Sequence, residues 1–234
     1  MSSYKLLGVG NNAKTVKGDG SEYLTAIMYL APADTVAGFN LCPMAVMAGC
    51  KNGCLYTAGR GAMNSVQQSR IRKTLMLRDT PELFFSILRA DLSKFQRYCE
   101  KRDIQPVVRL NGTSDYNFLD IVRDFPGIQF YDYSKVFNRA AKALPDNYHL
   151  TLSYSEADSD YAALVREYAD KYDTNMAVVF RDAASIPETF LGRPVINGDA
   201  DDLRFLDPTG VVVALYAKGK ARHDDTGFVI DVTA

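Results

Sequence analysis

The stretch IQFYDYSKVFNRAAKALPDNYHLTLSYSEAD, residues 128–158, decides the predicted fold of this chain. It starts with a short apolar strand, Ile128–Tyr131, and runs through a polar tip into a predicted helix, Val136–Leu144. A second short strand, His149–Leu152, follows and ends in another polar tip. Strands and helices that alternate in this way are typical of parallel βαβ units with right-handed crossovers.

The same unit recurs on both sides of this stretch. Further predicted strands are Leu24–Leu30, Pro106–Leu110, Met176–Phe180, Val195–Ile196 and Val211–Tyr216, and a further helix is Ser159–Tyr172. A chain of 234 residues is long enough to bury one large core. The sequence therefore predicts an α/β fold, a partial parallel (β/α)6-like barrel, in a single domain over residues 1–234. Residues 1–22 form an N-terminal strand or hairpin extension, with turns at Gly8–Asn12 and Gly18–Gly20.

Two more helices are predicted between the first two strands of the parallel set. Ala62–Leu77 has a basic side, and Pro81–Lys101 follows Thr80, which we expect to be its N-cap. The second helix carries apolar residues at helical spacing, so it is expected to pack on the core; they are Leu83, Phe84, Ile87, Leu88, Leu92 and Phe95. Cys99, near its end, is expected to be a packed thiol.

The segment FNLCPMAVMAGCKNGCLYTAGRG, residues 39–61, is here called the cysteine loop. It places Cys42, Cys50 and Cys54 within thirteen residues. A buried structural cysteine has no reason to cluster, because it behaves as a small hydrophobe, so three neighbouring thiols suggest a shared ligand. The loop follows a predicted strand, and parallel sheets place their ligands beyond the carboxyl ends of the strands.

The identity of that ligand remains open between two metal centres and free or oxidised thiols. A closed zinc site needs four ligands, and the other cysteine and histidine residues of the chain are Cys99, His149 and His223. A cubane [4Fe-4S] cluster held by three thiolates needs no fourth protein ligand and leaves one iron open. A disulfide fits poorly with three clustered cysteines and an N-terminus that lacks an apolar signal segment. We therefore favour the cluster, with zinc as the alternative.

Polar residues follow four consecutive predicted strands. They are Asn111, Thr113, Asp115, Tyr133, Lys135, Ser153, Ser155 and Glu156. Because the carboxyl ends of parallel strands share one rim, we expect these residues to share a ligand site with the cysteine loop. Each has an alternative role in its own turn or helix cap, such as Ser159 as an N-cap or Asn111-Gly112 as a turn pair.

Charged segments elsewhere are ambiguous. Arg70, Arg72 and Lys73 are predicted to lie on a solvated helix face. A role in holding an anion at the cluster is the lesser alternative. The segment AKGKAR, residues 217–222, either binds phosphate or carboxylate or is an exposed strand end. Asp199, Asp201 and Asp202 are expected to mark a solvated loop.

The overall composition is that of an ordinary globular protein. Hydrophobic residues make up 47%, charged residues 24%, and the formal net charge is -1. That charge gives no support to general nucleic-acid affinity. No run approaches the ~18 apolar residues of a membrane span. We therefore expect no membrane partner and a cytoplasmic protein, in the host cytoplasm if a phage encodes it.

Five segments carry a resemblance to a known family: LCPMAVMAGCKNGCLYTAGRG, VVRLNGTSD, QFYDYSK, LTLSYSE and INGDADDLRFLDPTGVVVALYAKGKAR. Over nearly its whole length the chain resembles the phage gene product 88 family, which implies a phage or prophage origin. More distantly it is similar to radical S-adenosylmethionine enzymes. Those enzymes place three cluster cysteines after the first strand of a partial barrel, separated by three and two residues. Here seven and three residues separate them, and Asn111-Gly112-Thr113 stands where those enzymes carry Gly-Gly-Glu.

This resemblance implies an enzyme in which Cys42, Cys50 and Cys54 hold a [4Fe-4S] cluster that binds S-adenosylmethionine. Its cofactor-binding residues would be Asn111, Thr113, Asp115, Ser153, Ser155 and Glu156, and Tyr133 and Lys135 would be catalytic donors of a proton or hydrogen atom. An electron donor and an unknown small-molecule or macromolecular substrate would be its partners. One alternative is a zinc-stabilised binding protein that engages host nucleic acid or protein through its basic segments. Another is a protein with a structural or redox-sensing cluster.

Overall fold

A computed structural model describes residues 5–10, 20 and 22–232, and in this part of the chain ten strands form a single mixed sheet. The strands are β1 (Leu7–Val9), β2 (Tyr23–Met28), β3 (Gln105–Arg109), β4 (Gln129–Ser134), β5 (Tyr148–Ser153), β6 (Asn175–Phe180), β7 (Thr189–Phe190), β8 (Arg193–Asn197), β9 (Val212–Tyr216) and β10 (Val229–Ile230). Their order in the sheet is β1-β2-β3-β4-β5-β6-β9-β8-β7, and β10 pairs with β6.

Most neighbouring strands are parallel, as the strand–helix alternation predicts. Strands β2 to β6, then β9 and β8, pair in parallel, while β1 and β7 are antiparallel to their neighbours β2 and β8. The α/β class and the mostly parallel sheet are therefore confirmed. Strand β1 is the expected N-terminal edge strand; the turns predicted at 8–12 and 18–20 lie largely outside the described residues.

The helices of the described part cover one face of the sheet. They are α1 (Asn64–Asp79), α2 (Pro81–Glu100), α3 (Leu119–Asp124) and α4 (Ser159–Lys171). Helix α2 buries Phe84, Leu88, Leu92 and Phe95 in the same core cluster as Val108 and Phe130 of the sheet. Burial of each such side chain contributes roughly 1.5–3 kcal/mol of hydrophobic free energy. None of these helices is long and apolar enough to cross a membrane.

The opposite face of the sheet carries polar as well as apolar side chains, because successive residues of a strand point to opposite sides. The segment between β8 and β9 crosses this face: Leu203 packs with Val107 of β3 and Tyr131 of β4, and Phe205 meets Tyr23 edge to face. The carboxyl ends of the same strands surround a cavity, described below. The helices pack on one face of the sheet, and residues of the other face, together with the first half of α1, line the cavity.

Two local features differ from the prediction. The predicted helix Val136–Leu144 is a short 3₁₀ helix, Phe137–Arg139, because the Arg139 side chain is held against Asp115. Helix α3 forms where no helix was predicted. Thr80 is the N-cap residue of α2 and Pro81 begins the helix, as predicted, although the Thr80 hydroxyl donates back to the Met76 carbonyl at 3.2 Å and makes no capping bond.

The N-terminus of α4 is capped by Asp158, although the sequence offered Ser159 for this position. The Asp158 carboxylate accepts a hydrogen bond from the Tyr161 N–H at 2.8 Å. Asp at an N-cap satisfies one of the backbone donors that the first helical turn leaves free. The helix otherwise begins where the sequence predicts.

Candidate functional site

A cavity of about 1640 Å³ lies at the carboxyl ends of the parallel strands. The cysteine loop, the start of α1 and the tips that follow β3, β4, β5 and β9 contribute to its wall. Of the predicted site residues, the wall includes Cys42, Cys50, Cys54, Asn111, Thr113, Asp115, Tyr133, Lys135 and Ser153. Ser155 and Glu156 lie outside the lining.

The three clustered cysteines face this cavity as free, partly buried thiols. Each has a different backbone neighbour. The Cys42 thiol lies 3.9 Å from the Thr113 carbonyl, the Cys50 thiol lies 3.7 Å from the Ala45 carbonyl, and the Cys54 sulfur accepts the Tyr56 N–H at 3.5 Å. The three thiols therefore contribute to the wall of one cavity, each beside a different backbone group.

Two of these thiols have a raised pKa. Burial, and to a smaller extent the charges of Asp115, Cys54 and Cys50, raises the pKa of Cys42 to about 12. Burial also raises the pKa of Cys54, although Lys135 and Arg70 oppose the rise. A metal centre binds thiolates and so must displace the thiol protons.

The donor set is chemically suited to iron–sulfur or zinc, since thiolates are soft ligands. Among the described residues, however, no group of three His, Cys, Asp or Glu side chains is gathered closely enough to ligate one metal ion. The candidate fourth zinc ligands, Cys99, His149 and His223, do not line the cavity. Cys99 is fully buried in the core beside α2, as expected of a packed thiol.

The tip after β3 is built around Asn111. Its backbone N–H and its amide both donate to the Asp132 carboxylate, at 2.9 and 3.0 Å, and its amide oxygen accepts from Ser114 and Tyr116. Burial raises the pKa of Asp132 to about 6. The hydrogen-bonding capacity of Asn111 is used within the tip, so this residue shapes the cavity wall.

The next tip is tied to the first through Asp115. Its carboxylate accepts from the Ser134 hydroxyl at 2.8 Å and the Lys135 N–H at 2.7 Å, and it forms a buried ion pair with Arg139 at 2.8 Å. These bonds leave the Lys135 side chain facing the cavity, with its ammonium nitrogen 5.4 Å from the centroid of the Phe228 ring.

The cysteine loop is fixed to the sheet at several points. The Asp115 N–H donates to the Leu41 carbonyl at 2.8 Å, and the buried Ser155 hydroxyl donates to the Ala48 carbonyl at 2.8 Å. Gly49 has a φ of +63°, and a Cβ there would come within 2.6 Å of the Ala157 Cβ. Only glycine fits both this backbone conformation and this space.

A cluster of charged side chains that the sequence did not predict lines the cavity. The Asp202 carboxylate accepts a hydrogen bond from the Tyr131 hydroxyl at 2.6 Å and forms an ion pair with Arg109 at 3.4 Å. The Arg109 guanidinium lies over the Tyr133 ring. Asp202 is 2% exposed. The expectation of a solvated acidic loop is therefore wrong for Asp202, and also for Asp199, whose carboxylate pairs with Lys218 at 2.6 Å.

The basic side of α1 also differs from the prediction. Arg72 is exposed, but Arg70 is only 7% exposed and lines the cavity. Lys73 donates to the Leu6 carbonyl at 2.6 Å, and burial lowers its pKa to about 8. The prediction of a solvated basic face is thus wrong for Arg70. The helical periodicity alone could not show which side of the helix other residues would cover.

In the AKGKAR segment, Lys218 and Arg222 line the cavity while Lys220 points to solvent. Lys218 is engaged by Asp199, and the Arg222 Nε–H donates to the Ala217 carbonyl at 3.4 Å. The segment is therefore part of the cavity wall; Lys218 is partly buried there, whereas Arg222 is exposed.

Comparison with known proteins gives one family. The family model described as Gene product 88 matches residues 5–232, nearly the whole chain. No curated protein and no solved structure is significantly similar to the chain.

Proposed function

This chain belongs to the phage gene product 88 family, and we propose that it is an iron–sulfur protein whose [4Fe-4S] cluster is held by Cys42, Cys50 and Cys54. The observation that carries the proposal is that these three thiols line one cavity while the remaining Cys and His residues do not. A three-thiolate cluster needs no further protein ligand, whereas a closed zinc site does.

The charges around the thiols suit an anionic centre. Three thiolates on one wall would repel one another; burial is the main cause of the raised pKa of Cys42, and the charges of Cys54 and Cys50 add to it. Lys135 and Arg70 act electrostatically on Cys54 in the opposite sense. Iron supplies the larger positive charge, and these two side chains would offset the remaining negative charge of the thiolate-bound cluster.

The finer proposal is a radical S-adenosylmethionine-like enzyme on a partial barrel with a (β/α)6-like arrangement. When bound, the cluster and this cofactor would supply reductive radical chemistry at the open iron. Support for the barrel comes from the helices that pack on one face of the sheet and from the residues of the other face that line the cavity. A host-cytoplasmic location and an electron donor belong to the same proposal.

The chain's own residues would have distinct tasks in that chemistry. Lys135 and Tyr133 face the cavity, and burial raises the pKa of Tyr133, so its hydroxyl stays protonated and able to donate. Thr113 and Ser153 offer polar contacts on the wall, while Asn111 and Asp115 hold the tips in place. Ser155 would act by anchoring the cysteine loop.

The visible absorption spectrum of protein purified without oxygen tests the cluster. Wild type is expected to be brown, and Cys42→Ser, Cys50→Ser and Cys54→Ser should each lose most of the iron–sulfur band. Cys99→Ala is the matched control, because it removes a thiol outside the cavity and should keep the band. A colourless wild type, or equal loss in the control, would contradict the proposal.

A second measurement separates catalysis from a structural or sensing cluster. Dithionite-reduced wild type with an intact cluster is incubated with S-adenosylmethionine, and 5′-deoxyadenosine is quantified. Formation above the level of Cys50→Ser supports the radical enzyme. Background levels with an intact cluster would leave the structural or redox-sensing function in its place.

A further inference from the structure

The cavity wall is more positive than the chain as a whole. Among the described residues that line it there are eight Lys and Arg side chains and four Asp side chains. All four carboxylates are already paired: Asp34 with Lys51, Asp115 with Arg139, Asp199 with Lys218 and Asp202 with Arg109. A cleft lined by one sign of charge concentrates ligands of the opposite sign.

Within this wall, Arg70 is a buried cation with donor groups that no protein atom of the described residues accepts. Its guanidinium carbon lies 4.8 Å from the centroid of the Tyr29 ring and 5.5 Å from that of Tyr56. The rings hold the cation but do not accept its in-plane N–H groups. Its Nε and Nη1 atoms are buried and have no hydrogen-bond partner among the described residues. A buried charged donor without an acceptor is rare in folded proteins.

A second cation lines the same cavity. The Lys135 and Arg70 side chains both contribute to its wall. The Lys135 backbone is fixed by its bond to Asp115, while its side chain lines the cavity. A planar guanidinium and an ammonium group that line one cavity are both donors that bind carboxylate or phosphate oxygens.

We propose that Arg70, with Lys135 as a second cation of the same cavity wall, forms an oxoanion subsite and that the ligand of the cavity is a small molecule carrying a carboxylate or phosphate group. The inference rests on the proposed function only in taking this cavity as the place where the ligand binds. The subsite itself consists of side chains and does not require the cluster. The Tyr29 and Tyr56 rings, which flank the guanidinium, would fix its plane and so the orientation of the bound oxygens.

Titration calorimetry with inorganic phosphate and with malonate tests the subsite, using anaerobically purified protein at low ionic strength. Saturable binding of either probe is expected; phosphate alone identifies a phosphoryl ligand and malonate alone a carboxylate ligand. Arg70→Gln should weaken binding at least tenfold and Lys135→Gln several-fold. Arg72→Gln is the control on the exposed side of the same helix and should bind like wild type.

Circular dichroism checks that each variant is folded. If Arg70→Gln does not fold, the binding of Lys135→Gln is compared with that of wild type instead. No saturation by either probe at millimolar concentration would overturn the inference, as would undiminished binding by folded Arg70→Gln and Lys135→Gln. Equal loss in Arg72→Gln would also overturn it, since diffuse charge would then explain binding. Iron analysis of the same samples distinguishes this proposal from the proposed cluster. Anion binding by protein without iron supports the subsite and contradicts only the cluster.

Discussion

The Asp115 carboxylate, at the end of the β3 tip, accepts a hydrogen bond of 2.7 Å from the backbone N–H of Lys135, the first residue after β4. The same carboxylate pairs with Arg139 at 2.8 Å, and both charged groups are buried. One side chain thus joins two neighbouring tips and fixes the backbone from which Lys135 reaches the cavity.

Replacing Asp115 by Asn should destabilise the protein strongly. The change leaves Arg139 as a buried charge without its partner, a defect that costs about 3–5 kcal/mol. Urea unfolding of the variant measures this loss. The control is Asp120→Asn, which removes an exposed ion pair with Arg123 and should cost at most ~1 kcal/mol. Similar losses in the two variants would refute the role assigned to Asp115.

The cysteine loop should depend on space at Gly49 as well as on its backbone angle. Gly49 and Gly38 have φ values of +63° and +72°, but a Cβ on Gly38 meets nothing within 4 Å whereas one on Gly49 meets Thr226 at 2.5 Å. Gly38→Ala should therefore cost about 1 kcal/mol from backbone strain alone. Gly49→Ala should cost clearly more and lower the iron content. Equal thermal midpoints for the two variants would count against this.

Metal-free protein should lose stability in alkali because of Cys42. Its folded-state pKa is raised by burial to about 12, above the ~8.5 of an exposed thiol. Between these values the unfolded thiol is ionised while the folded thiol keeps its proton, so stability falls by up to ~1.4 kcal/mol per pH unit. Below pH ~8 the two states bind the proton equally.

The Cys42→Ser variant isolates this effect from other titrating groups. Reduced, chelator-treated wild type and variant are unfolded in urea at pH ~8, ~9 and ~10. The free energy of unfolding of wild type should fall relative to that of Cys42→Ser as the pH rises. A constant difference across this range would contradict the assigned pKa shift.

The parallel sheet was predictable because its signals are local. A short apolar run such as His149–Leu152 ends in polar residues and is followed by a helix whose apolar positions repeat at 3.6 residues. Helix α4 begins at Ser159, where the sequence placed it. The clustered cysteines and the shared rim of strand ends also follow from local patterns and from the geometry of parallel strands.

The missed features depend on partners far away in the sequence. Asp202 can be buried because Arg109 neutralises its charge and the Tyr131 hydroxyl donates a hydrogen bond to it; both residues are more than 70 positions away in the sequence. Arg70 is covered by Tyr29 and Tyr56 from outside its helix. Arg139 ends its helix early because Asp115 holds it. Nothing in the local composition distinguishes such residues from solvated ones.

The Arg109–Asp202 pair should show strong energetic coupling. Asp202→Asn and Arg109→Gln each leave a buried charge unpaired and are each expected to cost about 3–5 kcal/mol. The double variant should cost clearly less than the sum of the two losses, because neither charge remains. Urea unfolding of all four proteins provides the cycle, and purely additive losses would show that the pair does not stabilise the fold.

Quantification of iron, acid-labile sulfide and zinc in anaerobically purified protein tests the central claim most directly. The account predicts about four iron and four sulfide per wild-type chain with little zinc, strong loss of both in Cys50→Ser, and retention of both in Cys99→Ala. One zinc per chain without sulfide, or wild type free of both metals after reconstitution with iron and sulfide, would contradict it.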